Sequence, residues 1–287
     1  MEKEVHQKVI LVTGATAGIG NQTAKELAKW NSTVVIVSRD SRKGEETVKE
    51  IQAYSGNNNV SYLTADLSSQ KEIRQLANRF REKYNSLDVL VNNAGIFCTD
   101  LKYSADGIEL QFATNHLSYF LLTNLLIDLL KKSSPSRIVN VSSEAHYRGT
   151  INFEDLNLAN NYDGFKAYRQ SKLGNVLFTY ELAERLKGTG VTVNCLHPGG
   201  VNTKLGDAHT SGWVFWAWRL AKPFFISVKK GAATSIYLAS SQEVEGVTGK
   251  YFDLCKPRKS ADLSYDKSLM KKLWKMSDEM VGQKFAC

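Results

Sequence analysis

A tyrosine followed four residues later by a lysine, Tyr168-Arg169-Gln170-Ser171-Lys172, lies in an uninterrupted helical pattern, so the two side chains fall on one face. A phenol ordinarily keeps its proton up to a pKa of about 10, and a neighbouring ammonium favours its ionised form, which suits the pair to general acid–base chemistry. Tyr162 and Lys166 repeat the spacing, but Asp163-Gly164 between them reads as a turn that takes them off a common face. A second chemistry is written in Thr13-Gly14-Ala15-Thr16-Ala17-Gly18-Ile19-Gly20, which follows an apolar run and opens a helical pattern. Glycines there let the backbone turn and approach a pyrophosphate, which the first amides of the helix stabilise. The loop predicts nucleotide binding by Gly14, Thr16, Gly18, Ile19 and Gly20, against the plainer reading of a structural turn.

Ser38-Arg39-Asp40 closes the second apolar run. A carboxylate in this place accepts hydrogen bonds from an adenosine ribose, whereas an arginine pairs with a 2′-phosphate. Arg39 stands nearer the strand end, and Arg42 and Lys43 follow, so NADP(H) is expected in preference to NAD(H). The alternative is an ordinary exposed Arg–Asp pair.

The elements that position these residues read as strand–helix alternation. Short β-branched runs recur at Lys8–Val12, Thr33–Val37, Val60–Thr64, Val89–Asn92, Arg137–Val141 and Val191–Leu196. Helical spacing fills Gly20–Trp30, Arg42–Tyr54, Gln70–Tyr84, Gly107–Lys131, Ala167–Lys187, Lys230–Ala239 and Asp266–Met280. Runs such as VILV are apolar without alternation, as in strands covered on both faces, and each connection is long enough for a crossover helix. The fold class is therefore α/β, a doubly wound parallel sheet with helices on both faces. With 287 residues, four prolines and no low-complexity linker, a single domain is expected, with a cofactor half over about residues 1–135 and a catalytic half over about residues 136–287. The aromatic stretch at about residues 203–230 breaks the alternation.

Composition narrows the function classes. The 43% hydrophobic and 23% charged content excludes disorder and small disulfide scaffolds. The net charge of +8 lies mostly in residues 204–287, with 14 basic and 8 acidic side chains; no nucleic-acid recognition motif accompanies it, so nucleic acid is not an expected partner. Cys98, Cys195, Cys255 and Cys287 lack metal-type spacing, and no metal site is expected. The charged N-terminal segment Met1–Gln7 offers neither a signal core nor an anchor, which predicts cytoplasmic residence.

Asn92-Asn93-Ala94-Gly95 after the fourth run, Ser143 after the fifth, and the Tyr168–Lys172 segment join the glycine loop in a pattern that resembles the short-chain dehydrogenase/reductase family from Lys8 to Phe252. The resemblance implies a Rossmann-type fold and NAD(P)-dependent oxidoreduction. It implies four catalytic positions: Tyr168 as proton donor and acceptor, Lys172 lowering the phenol pKa and binding the nicotinamide ribose, Ser143 on the substrate oxygen, and Asn115 supporting a water-mediated proton path. A buried asparagine that only satisfies its helix is the competing reading of Asn115. Further cofactor contacts are implied for Asp66 and Leu67 at the adenine, for Asn93, Ala94 and Gly95, and for Pro198, Gly199, Val201 and Thr203 beside the nicotinamide and phosphates. Ser142 reads as structural, and His116, His146 and His197 as packing or loop residues.

Ser136–Ser143, Arg185–Val191 and Gly249–Phe252 resemble the retinol dehydrogenase branch, which implies an apolar aldehyde or ketone, a retinoid or lipid-derived carbonyl, and its alcohol as substrates. Trp213, Trp216 and Trp218 are too few to span a bilayer and suit a lid over the nicotinamide, one that also touches a membrane peripherally. The alternatives are a core-packing helix or a subunit contact there. Apolar residues on the two long helices predict a homo-oligomer. Rival functions are a broad carbonyl or hydroxysteroid reductase and a low-turnover NADP-sensing protein.

Overall fold

Apolar strands without polar alternation must be covered on both faces, and the computed structural model, which describes residues 8–201 and 225–285, shows how this chain covers them. The first half runs β1 (Val9–Val12), α1 (Gly18–Ala28), β2 (Thr33–Ser38), α2 (Ser41–Ser55), β3 (Val60–Thr64), α3 (Gln70–Lys83) and β4 (Val89–Asn92). There follow α4 (Leu110–Phe112), α5 (Ser118–Lys132), β5 (Ser136–Val141), α6 (Gly164–Arg185) and β6 (Val191–His197). The chain closes with α7 (Val228–Ser240), β7 (Lys250–Asp253), β8 (Lys256–Arg258) and α8 (Lys267–Met280). Among the described residues the strands form one sheet in the order β3-β2-β1-β4-β5-β6-β7-β8, parallel as far as β7 and antiparallel at β8. This is the expected doubly wound α/β architecture.

Side chains alternate across the sheet with a period of two. Leu11, Val35 and Val37 point to the face covered by α3, α5 and α6, whereas Ile10, Val12, Val34 and Ile36 point to the face covered by α1, α2 and α7. The order reverses between β1 and β4, which leaves a crevice at the carboxyl ends of those strands, where open α/β sheets hold ligands.

The boundaries differ from expectation in instructive places. Helix α6 begins at Gly164, three residues before the expected Ala167, because the Asp163 carboxylate caps it by accepting from the amides of Phe165 and Lys166 at 2.8 and 3.2 Å. The expected helix from Gly107 starts instead at Leu110, since Gly107 takes a φ of +72° in the turn before it and Glu109 is the cap. Between α4 and α5 the helix widens to a π-turn at Ala113–Leu117. The β7–β8 hairpin was not anticipated: its turn puts Leu254 and Cys255 at φ +48° and +61° without a glycine or asparagine to announce it.

Helix α8 lies across the long helices α5 and α6. Its Trp274 meets Phe120 of α5 and Phe178 of α6 at ring-centroid distances of 4.9 and 5.9 Å, with the Arg185 guanidinium 4.1 Å over its ring. Beyond α8, Arg74 of α3 donates to Val281 O at 2.6 Å and also bonds Gln283. No helix among the described residues is long and apolar enough to cross a membrane.

Candidate active site

At the crevice the glycine loop is shaped by close approach. Gly14 has a φ of +63°, and a Cβ there would lie 2.7 Å from Ala94 Cα. A Cβ on Gly20 would collide with Asn93 Nδ2 and Gly14 O. Asn93 is the staple between the two loops: its Nδ2 donates to Thr13 O and Gly14 O at 2.9 and 3.1 Å, while Thr13 Oγ1 accepts from the amides of Asn93 and Ala94. Helix α1 begins after Ala17 with no side-chain cap, so its first amides remain available to a ligand. Gly14, Thr16, Gly18, Ile19, Gly20, Ala94 and Gly95 all line one cleft of about 400 Å³. Bare helix amides, a glycine cradle that a Cβ would fill and a cleft of this kind fit a dinucleotide pyrophosphate.

Farther along the cleft the two candidates at the end of β2 separate. Asp40 is the cap of α2, its Oδ1 accepting from Lys43 N at 2.7 Å, and Ser38 Oγ donates to Asp40 O at 2.6 Å. Arg39 lines the cleft, and no carboxylate among the described residues pairs with it. Arg42 is tied to Glu46 at 3.0 Å. Asp66 and Leu67 lie on the same wall, with Asp66 Oδ1 accepting from both the amide and the hydroxyl of Ser68.

At the other end stand Tyr168 and Lys172. Tyr168 packs edge-on against Phe97, 5.6 Å between centroids, and lines the same cavity as Ser143. Lys172 is buried, its Nζ 5.6 Å from the Tyr168 ring centroid and donating to Val141 O at 3.2 Å. Burial pushes the phenol up to about 12, with the nearby Ser143 hydroxyl pulling it down, and pushes the Lys172 ammonium down to about 7. In the chain by itself the phenol is thus raised rather than lowered, because the desolvation that disfavours phenolate also disfavours the ammonium meant to offset it. Asn115 sits in the π-turn, a local geometry frequent at functional sites. Its Oδ1 accepts from Ile96 N at 2.7 Å, and its Nδ2 donates to Ile96 O and Ser171 Oγ, both at 3.0 Å. The decoy Tyr162 lies outside the helix, donating its hydroxyl hydrogen to Glu109 Oε1 at 2.8 Å.

A second cavity joins the first at Ile19, Phe97, Ser142, Tyr168 and Pro198. Ser143, Gly199 and Val201 line this side rather than the cleft, and Thr203, Trp213, Trp216 and Trp218 lie outside the described residues. Aromatic residues not anticipated as site residues, Tyr147, Phe165 and Phe225 among them, form much of its wall. Phe165 was legible, three residues before Tyr168 on one helix face.

The turn bearing Ser143 is held by two histidines, His146 and His197, read in the sequence as packing or loop residues. Ala261 N donates to His146 Nε2 at 3.1 Å, so the proton sits on Nδ1, which donates to Ser143 O at 2.7 Å. Glu144 N donates to His197 Nδ1 at 3.0 Å, which puts that ring's proton on Nε2. Burial lowers both imidazoles, His146 to about 4. The Ser142 hydroxyl donates to Lys172 O at 2.8 Å.

With this geometry in place, comparisons with known proteins are informative. A family model described as short chain dehydrogenase matches residues 8–212. Human retinol dehydrogenase 14 is 44% identical over 293 aligned residues, covering 97% of this chain and 87% of that one. Among solved structures, an uncharacterized protein from Mycobacterium paratuberculosis superposes with a TM-score of 0.80 at 32% identity over 99% of this chain and 97% of its own. A short chain dehydrogenase from Burkholderia cenocepacia in complex with NADP gives 0.69 at 26% identity, covering 86% of this chain and 96% of that one.

Proposed function

The chain belongs to the short-chain dehydrogenase family, on the retinol dehydrogenase-like branch, and is an NAD(P)-dependent oxidoreductase of CH–OH groups; from that membership we propose that it uses NADP(H) to interconvert an apolar aldehyde or ketone and its alcohol. The observation that carries this reading is the meeting of two cavities at Tyr168, with Ser143 on the wall of the second. The NADP preference is supported by Arg39, which lines the cleft with no carboxylate partner among the described residues, beside a carboxylate already committed to a helix cap. The bound NADP complex of the Burkholderia relative agrees with it. The apolar substrate is supported by the aromatic wall and by likeness to a retinol dehydrogenase.

When bound, the dinucleotide supplies or accepts the hydride at the substrate carbon. This chain's residues manage the oxygen and its proton. In reduction the Ser143 hydroxyl holds the carbonyl oxygen, and Tyr168 donates its proton there as negative charge develops. A phenol held near 12 is fully protonated at neutral pH and is ready to donate. The phenolate left behind is stabilised by the Lys172 ammonium, and oxidation reverses the transfer. Asn115 fixes the Ile96 backbone and Ser171, one residue before Lys172, and so keeps the amine in place.

The test follows NADPH and NADH oxidation with retinal, medium-chain aldehydes and steroid ketones. Tyr168→Phe is expected to retain NADPH binding and to lose turnover by at least ~100-fold. Near-normal turnover in that variant would remove Tyr168 from the chemistry.

A further inference from the structure

The reaction above fixes one end of the substrate, the oxygen held at Tyr168 and Ser143, and leaves the other end open. Around it the second cavity is largely aromatic and aliphatic, yet two guanidinium groups, Arg148 and Arg169, stand on its wall. A third, Arg258, is neutralised: its Nη1 lies 2.6 Å from Asp253 Oδ2. The cavity's own carboxylate, Glu144, sits 3.8 Å from His197 Nε2. No acidic group among the described residues forms an ion pair with Arg148 or Arg169, although exposed arginines elsewhere, such as Arg42 and Arg81, have found carboxylates. Arginine does not shed its charge, so among the described residues this wall sets the two guanidinium groups of Arg148 and Arg169 against the single carboxylate of Glu144, a net positive balance. Arg169 is half-buried and shares α6 with Phe165 and Tyr168, so apolar surface, fixed charge and proton donor stand within one helical turn of each other.

We propose, building on the carbonyl–alcohol reading, that the substrate is an apolar carbonyl compound or alcohol that also carries an anionic group, a carboxylate or a phosphate. Arg148 and Arg169 hold the anion through their forks of donors while Tyr168 and Ser143 hold the reacting oxygen. A neutral alkanal satisfies one end of this cavity and leaves the guanidinium groups to water.

The experiment uses the full chain loaded with NADPH and measures calorimetric binding of decanoate, decyl phosphate and 1-decanol, none of which is a carbonyl that can be reduced. At least one anion is expected to bind roughly tenfold more tightly than decanol, the scale of one charge-assisted contact. That advantage is expected to shrink with added salt and to disappear in the Arg148→Gln/Arg169→Gln double variant. A preference for decyl phosphate assigns a phosphate, and one for decanoate a carboxylate. Kinetics read the same point: the kcat/KM advantage of 10-oxodecanoate over decanal should collapse in the double variant. Equal binding of decanol and both anions, or an anion advantage that survives the double substitution, overturns the proposal. Should the double variant not fold, a salt-insensitive advantage in the unaltered protein overturns it equally. Anion binding that behaves as expected, with neither aldehyde turned over, would uphold the arginine site and fault the carbonyl reading alone.

Discussion

Arg39 and Asp40 are neighbours with different employment because α2 begins at Ser41, and the residue before a helix is its natural cap. That division was not legible in the sequence, where either residue answers to the adenosine end; it depends on where the helix starts, a matter of one residue. Arg39→Ser is accordingly expected to raise the Kd for NADPH by roughly tenfold or more while leaving NADH nearly unchanged, as fluorescence titration will show. The Tyr168–Lys172 pair was legible, since spacing alone put both on one face, but its electrostatics were not. Burial is a property of the packed chain, and it drives phenol and amine toward their neutral forms together. Lys172 has a folded pKa of about 7 against an ordinary 10.5. Between those values the unfolded chain binds a proton that the folded chain does not, so stability rises with pH across that window, and the full cost is felt below it. Lys172→Met should therefore raise the melting temperature of the cofactor-free protein at pH 6 by about 5 °C or more, with the gain narrowing as pH rises from about 7 toward 10.5.

Elements with long apolar periods were read correctly in type and place; those set by single contacts were not. The β7–β8 hairpin is short, its second strand is exposed, and its turn lacks the usual residues, so periodicity had nothing to register. The π-turn at Ala113–Leu117 is invisible to a 3.6-residue pattern, yet it carries Asn115. The turn of Glu144–Arg148 is the clearest case: the sequence marks His146 and His197 as packing or loop residues but not which backbone groups they bind, because those partners are distant in sequence. His146→Phe keeps the ring and loses both hydrogen bonds, leaving Ser143 less firmly placed. We expect kcat to fall by roughly tenfold to a hundredfold with NADPH affinity unchanged. The same variant should flatten the acid limb of stability. His146 and His116, both lowered to about 4 from 6.5 by burial, remain neutral in the folded state while the unfolded chain takes up protons, so the native protein loses stability as pH falls through that interval.

For the molecule as a whole, strand–helix alternation specified the doubly wound sheet and its crevice. What alternation could not specify is how the two long helices are covered. Apolar residues on α5 and α6 pointed to a subunit contact, but Phe120 and Phe178 are met by Trp274 of the chain's own α8. Trp274→Ala is therefore expected to cost about 3–5 kcal/mol in urea unfolding while sparing the residues of the cleft. Every residue assigned to the cofactor or to proton transfer precedes α8 in the chain. During synthesis the whole chemical apparatus thus emerges before the segment that shields the greasy flank of the longest helices. A stop codon just ahead of Lys267 would spare all the chemistry and still yield a protein prone to clump.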